Sequence, residues 1–158
     1  MKKYFCVLFL IICFSGCKTE LQDSDYNLAN NISQEIVSYF DNKNIDGIKS
    51  LLCQNVLNTV DVDEQINQVF DVYCGNSLDY TVELGAATES IDEGITTERY
   101  ISAYVTVDTD AEKQYTIYFA YYPIIEKDDM IGIYRITLYT DLNTEYIIGK
   151  HITVDDLK

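Results

Sequence analysis

The sequence predicts an α+β domain: N-terminal helices packed on a curved antiparallel sheet of about four strands. Three observations predict it. Apolar residues recur at helical spacing from Leu28 to Tyr73. After Gly75 the period changes to two, and alternating runs continue to Tyr139. Only short polar breaks separate those runs, which suits hairpins and not crossovers. The chain has 158 residues, of which 47% are apolar, enough for the core of one domain and too many for a disordered chain.

In the first helix Leu28, Ile32, Ile36 and Phe40 form one stripe, with Val37 beside it. Asn30, Asn31, Ser33, Gln34 and Ser38 take the wet side. Asp41, Asn42, Lys43 and Asn44 form a polar break. A second helix follows over about 45–56, burying Ile45, Ile48, Leu51, Leu52 and Val56. Gly47 is tolerated there because it lies in the first turn. The third helix starts near Asp61, which with Glu64 has capping-box spacing. Asp63 and Glu64 also favour the positive end of the helix dipole. Val62, Ile66, Val69, Phe70 and Tyr73 make its stripe, and Gly75 ends it. A calcium loop at Asp61 is not expected, because the loop glycine and closing Glu are missing.

The first strand alternates Leu78, Tyr80, Val82 and Leu84 with Asp79, Thr81 and Glu83. Asp92, Glu93 and Gly94 read as a turn. Ile101, Ala103, Val105 and Val107 form the next apolar face, with Tyr100 and Tyr104 on the other side. Residues 109–113 read as a hairpin loop. The third strand, 114–122, is apolar on both faces and reads as central; Pro123 marks its end. The fourth strand covers 131–139, with Gly132 as a bend. Beyond Asp141 the pattern is open, with Tyr146, Ile147 and Ile148 as a candidate short strand.

The N-terminus carries an address. Lys2 and Lys3 precede an apolar run over 4–14, followed by Ser15, Gly16 and Cys17. This is the layout of a secretory signal. The run is shorter than the about 20 residues of a membrane-spanning helix. Phe14-Ser15-Gly16-Cys17 resembles a bacterial lipobox. That resemblance implies cleavage before Cys17 and its acylation. Residues 1–16 are then the signal peptide, 17–26 the lipidated cysteine and a tether, and 27–158 a single domain. The expected location is the cell membrane or envelope, outside the cytoplasm, with the membrane as partner through the lipid on Cys17. The net charge is −15, and −17 without residues 1–16. Anionic lipid repels such a body, so the acyl chains must do the anchoring. The same charge excludes binding to a nucleic-acid backbone.

Cys6 and Cys13 leave with the signal. Cys53 and Cys74 remain, and outside the cytoplasm that pair permits one disulfide. The alternative is two small buried hydrophobes. Their spacing fits no zinc motif, and no metal is expected.

The helix pair around Asp-Asn-Lys-Asn looks like the start of a nuclear-transport-factor-2-like domain, within the cystatin-like group. The stretch Asp61-Val62-Asp63-Glu64-Gln65-Ile66, ending at Cys74-Gly75-Asn76, narrows the resemblance. With Gly132-Ile133-Tyr134-Arg135-Ile136, it resembles a family of bacterial lipoproteins carrying a domain of unknown function. The resemblance covers about residues 27–140. It implies a cone-shaped cavity between helices and sheet. It implies no catalytic residue and no cofactor, and such a fold hosts enzymes and non-enzymes alike.

No nucleophile motif, phosphate loop or histidine cluster is present in the sequence. His151, the one histidine, reads as a surface residue with no partner. Arg99 and Arg135 are the only arginines, both on strands. A guanidinium there either clamps a ligand carboxylate or phosphate, or makes a structural ion pair with one of 26 acids. Nine of 14 tyrosines fall on the strands: Tyr80, Tyr100, Tyr104, Tyr115, Tyr118, Tyr121, Tyr122, Tyr134 and Tyr139. Rings with polar tips suit a ligand site, although tyrosine also favours strands by propensity. The candidate ligand-binding residues are Arg135, Tyr104, Tyr118 and Tyr134. The expected function is a membrane-anchored, non-catalytic binding module for a small molecule or peptide. The alternative is an interaction domain of an envelope assembly, pairing as a homodimer through an open sheet face. The third reading is a cavity enzyme, which needs an acid such as Asp79 or Glu83 in a dry site.

Overall fold

A computed structural model describes residues 19–141 and 144–153. The signal segment and Cys17 lie outside the described residues. Helix α1 (Thr19–Asp41) buries Ala29, Ile32, Ile36, Val37 and Phe40 along one stripe. It begins inside the stretch expected as a tether. Asp25 in that stretch is buried against Arg99, so the helix is held to the sheet a turn before its apolar stripe starts.

The expected second helix is two: α2 (Ile45–Leu51) and α3 (Gln54–Thr59). Asn44 caps α2, its side chain accepting from the Gly47 N–H at 2.9 Å. The break falls at Leu52 and Cys53 because the sheet captures their backbone. Cys53 N–H donates to the Ile133 carbonyl at 2.8 Å, and Leu52 bridges Ile133 in parallel. Gly132 permits this approach: it lies at φ +124°, and a Cβ there would stand 2.9 Å from the Cys53 nitrogen. Helix α4 (Val62–Val72) starts where the acidic cap predicts, with Asp61 accepting from the Glu64 N–H at 3.2 Å. At its other end Lys43 donates to the Phe70 and Tyr73 carbonyls, both at 2.6 Å.

Five strands follow: β1 (Ser77–Asp92), β2 (Ile95–Thr109), β3 (Gln114–Ile124), β4 (Gly132–Tyr139) and β5 (Glu145–Gly149). A turn of 3-10 helix (Asp128–Met130) precedes β4. All neighbours are antiparallel, in the order β1-β2-β3-β4-β5. The fifth strand corrects the expected four; it comes from the open-patterned tail, and Tyr146, Ile147 and Ile148 lie in it. The first hairpin turns at Glu93 and Gly94, where the sequence put its turn, and β1 runs on past Leu84, where the alternation ended. The two-sided strand, β3, is central.

The helices pack on one face of the sheet. Ile36, Phe40, Ile48 and Ile66 meet Val105, Ile117, Phe119, Ile136 and Leu138 in one fully buried cluster. Each such side chain contributes about 1.5–3 kcal/mol by leaving water. Of the two cysteines for which the sequence permitted a disulfide, Cys53 is buried beside β4 and Cys74 is exposed after α4, and the structure has both as free cysteines.

Candidate functional site

Strand register sorts the side chains onto two faces. Ala103, Phe119 and Ile136 stand opposite one another and face the helices. Their neighbours in each strand point the other way. Tyr104 pairs with Tyr118 and Tyr118 with Thr137; Ser102 pairs with Ala120 and Ala120 with Arg135. Among the described residues no helix packs on this second face. Tyr134 reaches it through a bulge: Ala120 pairs with Arg135 and Tyr121 with Ile133, which leaves Tyr134 as the extra residue. Two consecutive residues, Tyr134 and Arg135, therefore serve one face.

The result is a connected field of rings. Tyr104 and Tyr118 have centroids 5.0 Å apart. Tyr100 lies 5.3 Å from Tyr122 and 6.4 Å from Tyr134, and Tyr122 lies 5.5 Å from Tyr134. The Tyr100 and Tyr118 hydroxyls are hydrogen-bonded at 3.1 Å. Beneath the rings, Ser102, Ala120 and Thr137 are buried, although no helix covers them. Tyr104 stands at the margin, 42% exposed. Burial, and then hydrogen bonding with Tyr100, pushes the Tyr118 and Tyr134 phenols well above the ordinary value of 10. They stay protonated at neutral pH and offer neutral hydroxyls. The four candidate residues thus share one face. At the edge of this face, Gln114, Thr116, Tyr139, Thr140 and Asp141 line a depression of about 450 Å³.

Arg135 is already well partnered. Its Nε donates to Thr137 Oγ1 at 2.8 Å, and its guanidinium lies 5.7 Å from the Tyr118 ring centre. Nη2 stands 3.7 Å from Glu145 Oε2 on β5. Nη1 lies 2.9 Å from His151 Nδ1, so the histidine expected to lack a partner has one. Arginine has no acceptor, so Nδ1 accepts and the ring proton sits on Nε2. Arg135 thus braces β4, β5 and the segment after β5. Arg99 is likewise a structural partner, paired with buried Asp25. Asp79 and Glu83, the acids offered for a dry catalytic site, are exposed.

A second cavity lies on the helix side, of about 330 Å³. Leu28, Ile32 and Glu35 of α1, Leu51 of α2, Tyr121 of β3 and Ile133 of β4 line it. Reading the sequence missed Glu35, whose only signal was its place beside the apolar stripe. Among the described residues no three His, Cys, Asp or Glu gather as a metal site, and no helix is long and apolar enough to cross a membrane.

Fold and site together define an α+β domain whose open sheet carries helices on one face and a tyrosine field on the other. The chain belongs to the family described as Domain of unknown function (DUF5104), whose model matches residues 35–141. The matched range includes every tyrosine of the field and Arg135. No curated protein matches the chain.

Proposed function

We propose that this protein is a bacterial lipoprotein, held outside the cytoplasm by acyl chains on Cys17, whose nuclear-transport-factor-2-like domain is a non-catalytic binding module. Its ligand is a small molecule or peptide that lies on the tyrosine field. The lipobox-like Phe14-Ser15-Gly16-Cys17 supports the anchor. Helices followed by a five-stranded antiparallel sheet, packed on one face, support the superfamily. One observation carries the binding reading: five ring-packed tyrosines occupy a sheet face over which no helix lies among the described residues, beside a depression of about 450 Å³.

The field also sets the ligand's chemistry. Its deeper phenols are neutral donors and acceptors, and Glu145 offsets Arg135. The net charge of −15 repels anions. The ligand is therefore neutral and polar, with flat or ring-shaped parts that stack on tyrosine, as in a sugar or an uncharged peptide. Native mass spectrometry of the full chain, extracted in mild detergent, tests this. A monomer carrying a non-lipid mass that Tyr104→Ala removes is the expected result. An empty dimer that Tyr104→Ala dissociates replaces this reading with dimerisation through the same face.

A further inference from the structure

The first hairpin is longer than the sheet that supports it. β3 pairs with β2 only between Arg99 and Asp108, so residues 95–98 of β2 have no third strand beside them. On β1, every residue from Gly85 to Asp92 is exposed, and so is the turn to Ile95. This arm is a two-stranded ribbon, which in water is marginally stable on its own. Ile91 and Ile95 at its tip are 63% and 70% exposed. The outer edge of β1 is one of the two edges of the sheet. Bulges at Gly85 and between Ser90 and Ile91 bound an uninterrupted paired run, Ala86 to Ser90, the length of an ordinary strand.

Charge selects what can pair with that edge. From Ser77 to Ile95 there are five acids, Asp79, Glu83, Glu89, Asp92 and Glu93, and no Lys or Arg. A second copy of β1 would set acid against acid, which is destabilising across a strand pair. An anionic lipid surface meets the same repulsion. We propose that the free edge of β1 over 86–90 is a docking site for an extended, lysine- or arginine-bearing segment of a partner protein, which adds to the sheet as a sixth strand. Main-chain hydrogen bonds supply the affinity, basic side chains meet Glu89 on the helix face or Glu83 and Asp92 on the other, and the added strand supports the arm.

Hydrogen–deuterium exchange of the full chain in zwitterionic detergent tests the proposal, with three blocked peptides as probes. The first alternates Lys with Val, the second Glu with Val, and the third is the Lys–Val peptide N-methylated at every residue. The expected result is about tenfold slower exchange over 85–98 with the first peptide alone. Glu83→Lys combined with Glu89→Lys, both exposed, should abolish that response and create one to the Glu–Val peptide. No slowing with the Lys–Val peptide overturns the proposal, as does slowing confined to other strands. So does a response that survives N-methylation, because that is charge attraction without strand pairing.

Discussion

Gln65 on α4 holds both backbone polar groups of Gly149 at the end of β5. Its Oε1 accepts from the Gly149 N–H at 2.8 Å, and its Nε2 donates to the Gly149 carbonyl at 3.2 Å. The edge strand is thereby closed by a side chain, on a side where no further strand pairs with it among the described residues. Gly149 lies at φ +94°, and a Cβ there would collide with the Tyr134 carbonyl oxygen. Gly149→Ala is therefore expected to cost about 2–4 kcal/mol, from strain and from the displaced Tyr134 bulge. Gln65→Ala should cost less, about 1–3 kcal/mol, because it leaves two backbone groups short of a partner. Urea denaturation measures both, and equal losses for the two variants would contradict the clash.

Asp25 and Arg99 join α1 to β2 with side chains only 12% and 20% exposed. Breaking one side leaves a charge without its partner in a dry place. Arg99→Met alone is expected to destabilise by about 3 kcal/mol, whereas Arg99→Met with Asp25→Leu should recover most of that loss. A double-mutant cycle by chemical denaturation reads the coupling. If the single variant is as stable as the double, the pair is a solvated contact and does not hold the first turns of α1.

These two contacts show where the sequence was legible. The stripe from Val62 to Tyr73 and the cap at Asp61 are local signals, and α4 lies where they put it. Tyr100 and Tyr104 share a face of β2, and Tyr118 and Tyr122 a face of β3, by simple alternation, so four of the field's five tyrosines could be read from strand period. The rest depends on partners far along the chain. The break between α2 and α3 is made by Ile133, about eighty residues away, and no local residue announces it. The early start of α1 depends on Arg99. Tyr134 joins Arg135 on one face only because of a bulge, which alternation forbids.

The thiols give a simpler test. Cys53 is buried, and desolvation pushes its thiol up from the ordinary 9.0. Cys74 is exposed. A water-soluble thiol reagent added to the native, unreduced protein should label Cys74, and Cys53 only after denaturation. Peptide mapping by mass locates the label. Failure to label Cys74 until a reductant is added would mean that the two are joined, and that helix α3 has moved to let them meet.

Alkaline titration reads three tyrosines directly, Tyr73 in the core and Tyr118 and Tyr134 in the field. Burial raises the phenols of Tyr73, Tyr118 and Tyr134 above the ordinary 10, and neighbouring oxygens, Asp41 for Tyr73 and Tyr100 for the other two, raise them further. A phenol whose value is raised by folding binds its proton more tightly in the native state. Its contribution to stability is complete below pH 10 and is lost as pH rises beyond it. Denaturant midpoints should therefore be insensitive to these groups up to about pH 10 and fall steeply above it. In a tyrosinate absorbance titration these three phenols should ionise only together with the loss of the β-sheet circular-dichroism signal. Tyr118→Phe removes one raised group and should flatten the alkaline fall while leaving the fold intact at neutral pH. An absorbance curve that completes near pH 10 with the sheet still formed would show the phenols in water and would leave the face without its packed ring cluster.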